Sequence, residues 1–151
     1  MIRAAVDAAT NSPHRPLLFG VTVLTSMAPG ELPGSRARSA RGLANAAQKL
    51  ALLARAWGMD GVVCSGREAR KMRQATGLRC LTPGIRPPHA AQNDQRRVVS
   101  PAEAVRAGAD YLVVGRPITA APDPARAAEA ILRDMHAAHP NPSAHTLRGV
   151  A

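Results

Sequence analysis

Tyr111-Leu-Val-Val-Gly-Arg-Pro-Ile118, together with Leu81-Thr-Pro-Gly-Ile-Arg86 upstream, decides how this chain folds: each is a short apolar run that ends abruptly in Gly and Arg. A run of that length, preceded by a helix-like segment, reads as a buried parallel strand. Gly at its carboxyl end lets backbone approach a ligand closely, and Arg supplies a planar, permanently charged fork for an anion. Two such strand ends predict a phosphate pocket at the carboxyl edge of a parallel sheet.

Working outward, the same rhythm covers most of the chain. Residues 1–9 read as a short helix, and residues 17–24 as an apolar, β-branched strand ending at Thr25-Ser26. Pro, Gly, Ser and Arg dominate residues 28–42, which predicts a mobile loop or a poorly formed first helical turn. Leu43, Ala47, Leu50 and Leu53 or Ala54 fall at helical spacing, and Gly58 stops that helix. A second strand is expected at residues 61–64. It is followed by Ser65-Gly-Arg-Glu68, a capping box in which Ser65 and Glu68 satisfy each other's orphan amides. That helix should end near Gly77, a third strand should occupy residues 79–82, and residues 87–99 should form a long polar loop. Ser100-Pro-Ala-Glu103 is a second capping box, with Pro at the first helical position; its helix closes at Gly108. The fourth strand is expected at residues 110–114, and a last helix from Asp123-Pro124 to about Met135. The phrase Gly-x-Asp-x-apolar occurs twice, at Gly58-Met-Asp-Gly-Val62 and Gly108-Ala-Asp-Tyr-Leu112, each time where a helix ends and a strand begins.

Four strand-helix units in a row predict an α/β fold, either an open doubly wound sheet or part of a (β/α)8 barrel. A closed eight-stranded barrel takes about 250 residues, so four units in a 151-residue chain cannot close one. The expected domain is residues 1–135, with residues 136–151 a flexible tail rich in His, Pro and Ala.

Composition narrows the function. The formal net charge is +10 and raises nucleic acid as a partner, but only 2% of residues are aromatic and the basic residues are dispersed, which argues against stacking on bases. Cys64 and Cys80 lie in or beside apolar runs with no Cys-x-x-Cys pairing, and read as reduced, buried thiols. The five His residues show no metal-ligand spacing. With no signal-like block and no membrane-length apolar run, the expected location is the cytoplasm.

Five segments in order, Val21-Thr-Val-Leu-Thr-Ser26, Asp60-Gly-Val-Val-Cys-Ser65, Leu81-Thr-Pro-Gly-Ile-Arg86, Asp94-Gln-Arg-Arg97 and Asp110-Tyr-Leu-Val-Val-Gly-Arg-Pro-Ile-Thr119, resemble the C-terminal half of bacterial orotidine 5′-phosphate decarboxylase. The resemblance implies the last four strands of a (β/α)8 barrel. It also implies an enzyme that removes CO₂ from orotidine monophosphate to give UMP without metal or cofactor. Carried over residue by residue, it makes Arg86 and Arg116 phosphate ligands, assisted by the backbone amides at Gly115 and Arg116. Gln95 would reach phosphate and pyrimidine, and Thr25 would hydrogen-bond the pyrimidine. Each has a plainer reading: Arg86 and Arg116 as surface arginines, Gln95 as an ordinary loop residue, Thr25 as a cap. Arg96 and Arg97 read as a solvated face.

One feature of the family's pattern is missing. Its reactive centre is an Asp and Lys set with a signature Asp-x-Lys-x-x-Asp; the only lysines here, Lys49 and Lys71, sit in helix patterns without those aspartates. The resemblance therefore implies a chain that holds the nucleotide but contributes no catalytic residue, with a homodimer partner or a missing N-terminal half. A non-catalytic nucleotide-binding half-barrel and an inactive relic are the alternatives.

Overall fold

The computed structural model describes residues 2–33, 37–87 and 97–138. In chain order they form α1 (Ile2–Thr10), β1 (Phe19–Val21), α2 (Ala40–Ala56), β2 (Gly61–Val63), α3 (Gly66–Thr76), β3 (Arg79–Thr82), α4 (Pro101–Arg106), β4 (Tyr111–Leu112), α5 (Arg116–Thr119) and α6 (Pro124–Ala138). The four strands make one parallel sheet in the order β1-β2-β3-β4. Sequential order with every strand parallel is how neighbouring strands run in a barrel; a doubly wound sheet would reverse order at a switch point. The expected α/β half-barrel is what forms.

Its helix boundaries follow from the sequence. Both capping boxes are made, Ser65 with Glu68 and Ser100 with Glu103, the second with Pro101 in the first turn. Gly77 closes α3 in the left-handed conformation at φ 70°, where a side chain would be strained. The two Gly-x-Asp phrases turn out to be one device used twice. Asp60 accepts the Leu18 N–H at 2.8 Å and pairs with the Arg15 guanidinium at 2.9 Å. Asp110 accepts the Cys80 N–H at 2.8 Å and pairs with Arg73 at 2.6 Å. Each carboxylate joins the start of its own strand to the start of a different one, at the amino edge of the sheet.

The strands are shorter than the apolar runs predicted. β1 covers three residues of the expected eight, and β4 two of the expected five. Outside those limits the backbone bonds elsewhere: the Leu18 N–H goes to Asp60, and the Val23 carbonyl to an arginine side chain. The last helix runs three residues beyond Met135, to Ala138, and residues 139–151 lie outside the described ones.

Alternation along the strands separates two faces. Val62, Cys80 and Thr82 point to the helices and are buried with Leu43, Ala47, Ala51, Ala69 and Met72. Small alanines let α2 and α3 sit close to the sheet, which is how a core forms with so few aromatic residues. The opposite, concave face carries one register row of Val21, Val63, Leu81 and Tyr111. Val21 and Tyr111 remain 57% and 42% exposed. Across this face the Phe19 and Tyr111 rings meet edge to face, centroids 5.7 Å apart, although they come from the two outermost strands. A flat sheet would hold those strands about 14 Å apart, so the sheet curls. Gly61 makes the contact possible, because a Cβ there would lie 2.3 Å from the Phe19 ring.

Candidate functional site

Because the strands are parallel, every loop leaving a strand's carboxyl end emerges on one edge. Thr25 follows β1, Arg86 follows β3, and Gly115 and Arg116 follow β4, so four of the five expected ligand residues leave that edge. The fifth, Gln95, lies outside the described residues.

Thr25 is buried and belongs to the turn closed by the Met27 N–H on the Leu24 carbonyl at 3.0 Å. It lines a cavity of about 190 Å³ together with Val21, Val23, Leu24, Ser26, Val63, Cys64 and Pro83. That cavity brings together the carboxyl ends of β1, β2 and β3; Arg86 and Arg116 do not line it.

Arg86 is only 8% exposed, unlike a surface arginine. Its Nη1 donates to the Ile85 carbonyl at 2.8 Å, and its backbone N–H donates to Val99 at 2.9 Å, beside a parallel bridge between Ile85 and Val99. The Val99 side chain fits there because position 66 is glycine: a Cβ on Gly66 would lie 2.4 Å from it. Gly115 and Arg116 are exposed. Gly115 caps α5 and Arg116 is its first residue, so their amides stand at a helix start.

Arg97 is the residue that sequence reasoning misjudged. It is not a solvated face: its side chain is 13% exposed and pairs with Glu68 at 2.5 Å. Its Nη2 donates to the carbonyls of Val23 and Leu24, each at 2.8 Å. The parallel bridge at Val99 turns this part of the chain inward over the end of β1, which buries the side chain. Glu68 meanwhile accepts the Ser65 N–H through its other oxygen at 3.3 Å, so one carboxylate serves both a helix cap and an ion pair. The capping box hid that second role. Burial raises the Glu68 carboxyl above its ordinary range, against the pull of Arg97's charge and the Ser65 N–H.

Cys64 and Cys80 are free and fully buried. The Cys80 sulfur and burial push the Cys64 thiol far above its usual range, so it is a neutral thiol and not a nucleophile. Among the described residues no cluster of three or more His, Cys, Asp or Glu is placed to hold a metal, and no helix is long and apolar enough to cross a membrane. What the edge offers chemically is two arginines, a helix start and a small apolar cavity holding a threonine. That set suits a phosphorylated ligand with a flat apolar portion.

The sequence model of the orotidine 5′-phosphate decarboxylase / HUMPS family matches residues 1–131. Orotidine 5′-phosphate decarboxylase of Nitratidesulfovibrio vulgaris (strain Miyazaki F) is 53% identical over 154 residues, which cover 91% of this chain and 60% of that protein. The enzyme of the same name from Nitrosococcus oceani is 51% identical, covering 87% of this chain and 56% of its own length. Among solved structures, orotidine 5′-phosphate decarboxylase from Lactobacillus acidophilus superposes with a TM-score of 0.70 at 35% identity, over 89% of this chain and 58% of that one. The chain thus spans about 60% of the length of the curated relatives it matches.

Proposed function

This chain belongs to the orotidine 5′-phosphate decarboxylase / HUMPS family, and from that premise we propose that it supplies the phosphate- and pyrimidine-binding half of an orotidine monophosphate decarboxylase site. Arg86 and Arg116 hold the phosphate, the Gly115 and Arg116 amides add donors, and Thr25 and Gln95 engage the base. The observation that carries this reading is the shared edge: Thr25, Arg86, Gly115 and Arg116 leave the same side of one parallel sheet, each from a segment that the family pattern matches. Ligands of barrel enzymes bind at that side, with phosphate often held by the loops after the last two strands. Here those loops carry Arg86 and Arg116.

The chemistry of decarboxylation needs more than this half. Losing CO₂ leaves an electron pair on a ring carbon, and a nearby ammonium is needed to stabilise and then protonate it. Neither Lys49 nor Lys71 is suited to that task, for both belong to helices, α2 and α3, on the far side of the sheet's core. The chain holds nucleotide, and the reacting charges come from an N-terminal half or a partner subunit. The domain proper closes with α6, three residues beyond the expected 135.

Titration of the purified chain with UMP tests the reading. The parent chain binds UMP, and Arg116→Ala weakens binding by about 1.5–3 kcal/mol, the worth of a hydrogen bond to a charged group. Equal affinity in parent and variant would remove Arg116 from the site. Absence of any UMP or phosphate binding by the parent would favour a relic.

A further inference from the structure

Thr25 sits on the turn that follows β1, which ends at Val21. Thr22 still docks on β2, its N–H and hydroxyl both donating to the Val63 carbonyl, at 3.1 and 2.9 Å. Beyond it the two carbonyls that lead into the turn, Val23 and Leu24, are gathered by a single nitrogen of Arg97. The other terminal nitrogen of that guanidinium is fixed by Glu68, and Glu68 is fixed by the Ser65 amide at the end of β2. The path from the Val23 and Leu24 carbonyls through Arg97 and Glu68 to Ser65 therefore links the carboxyl ends of β1 and β2 by polar contacts. Glu68 is almost fully buried and Arg97 nearly so.

We infer that Arg97 and Glu68 are positioning residues: their ion pair sets the height and orientation of the Val23–Leu24–Thr25 turn, and so governs recognition of the base but not of the phosphate. The inference rests on the proposed nucleotide reading of the site and names a contributor to it that touches no ligand. Its physical basis is the geometry of guanidinium. A planar fork serves a carboxylate on one nitrogen and two carbonyls on the other at once, whereas a lysine ammonium is a single point and cannot span both. Arg97→Lys keeps the positive charge beside Glu68 while releasing the carbonyls. Arg86 follows β3 and Arg116 follows β4, whereas the pair acts at the carboxyl ends of β1 and β2.

The test uses the full chain and two readouts. Hydrogen exchange is followed at residues 22–27, where the Met27 amide reports the turn directly. Affinities for UMP and for ribose 5-phosphate, which lacks the base, are measured in parallel. In Arg97→Lys, exchange at residues 22–27 should rise about tenfold or more while α3 keeps its protection. UMP binding should weaken about tenfold, the equivalent of one positioned hydrogen bond, and ribose 5-phosphate binding should not change. Unaltered exchange at residues 22–27 overturns the inference, as does equal loss of both ligands. Should Arg97→Lys fail to fold, Arg97→Met combined with Glu68→Gln removes both charges together and is measured in the same way. If the parent binds neither ligand, the site reading fails, and the exchange result by itself decides whether the pair holds the turn.

Discussion

Replacing Gly61 by alanine adds one methyl group, and the structure specifies where it goes. The new carbon would lie 2.3 and 2.5 Å from two atoms of the Phe19 ring and 2.7 Å from the Arg79 carbonyl oxygen. The carbonyl is backbone of the neighbouring strand and cannot move without breaking the β2–β3 ladder. The ring can move, but only by giving up its edge-to-face contact with Tyr111. Overpacking of this kind costs about 1–3 kcal/mol, and loss of the ring pair about 0.5–1.5 kcal/mol more. For a chain of this size each kcal/mol lowers the thermal midpoint by about 2–4 °C. Gly61→Ala should therefore melt on the order of 5–10 °C below the parent by circular dichroism. Combining it with Phe19→Leu should cost less than the two changes add up to, because the smaller side chain vacates the contested space. A melting point within a degree of the parent, or strict additivity in the double variant, would refute the claim that the concave face is closed over Gly61.

Other outcomes follow from the polar contacts. Asp110→Ala leaves the Cys80 N–H without its carboxylate and frees Arg73, and should cost about 1–3 kcal/mol in urea unfolding. Ser100→Ala removes the cap of α4 and should cost about 1 kcal/mol in the same assay, with Glu103 unable to compensate because its carboxylate receives the Ser100 hydroxyl and amide. Burial alone would raise Asp60, but Arg15, the Leu18 N–H and Arg79 outweigh it and hold the carboxyl below its ordinary 3.8. Glu103 is lowered by the Ser100 amide and hydroxyl. A lowered folded-state value gives stability that is complete above the unfolded value and lost as pH falls through the folded one. The urea midpoint should thus decline below about pH 4, and Asp60→Asn should flatten that decline. Glu68 acts in the opposite sense: its raised value favours the fold at the acid end and that contribution fades as pH rises.

What could be read in advance was whatever depends on neighbours in sequence. The capping boxes at Ser65 and Ser100, the stop at Gly77 and the start of each strand after Gly-x-Asp are local patterns, and the structure keeps them. Strand lengths were not legible. An apolar run marks where a strand can lie, but its ends depend on which carbonyls and amides other elements claim, as Asp60 claims Leu18 and Arg97 claims Val23. The purpose of the two aspartates was equally hidden, because the Arg15 and Leu18 that Asp60 meets lie more than 40 positions away. Arg97 is the sharpest case. Among twenty basic residues it looked like solvated charge, and only the turn imposed by the Ile85–Val99 bridge buries it against Glu68.

The central claim, that this chain carries the binding half of a decarboxylase site and not its reactive charges, is tested most directly by measuring UMP formation from orotidine monophosphate. The chain is assayed alone, and then mixed with a separately produced N-terminal half of a full-length relative. No turnover by the chain alone, with turnover restored in the mixture, is the predicted result, because removing preorganised charge at the reacting carbon is worth several kcal/mol per group. Robust turnover by the chain alone would contradict the claim, since it would require a catalytic set among the residues already present.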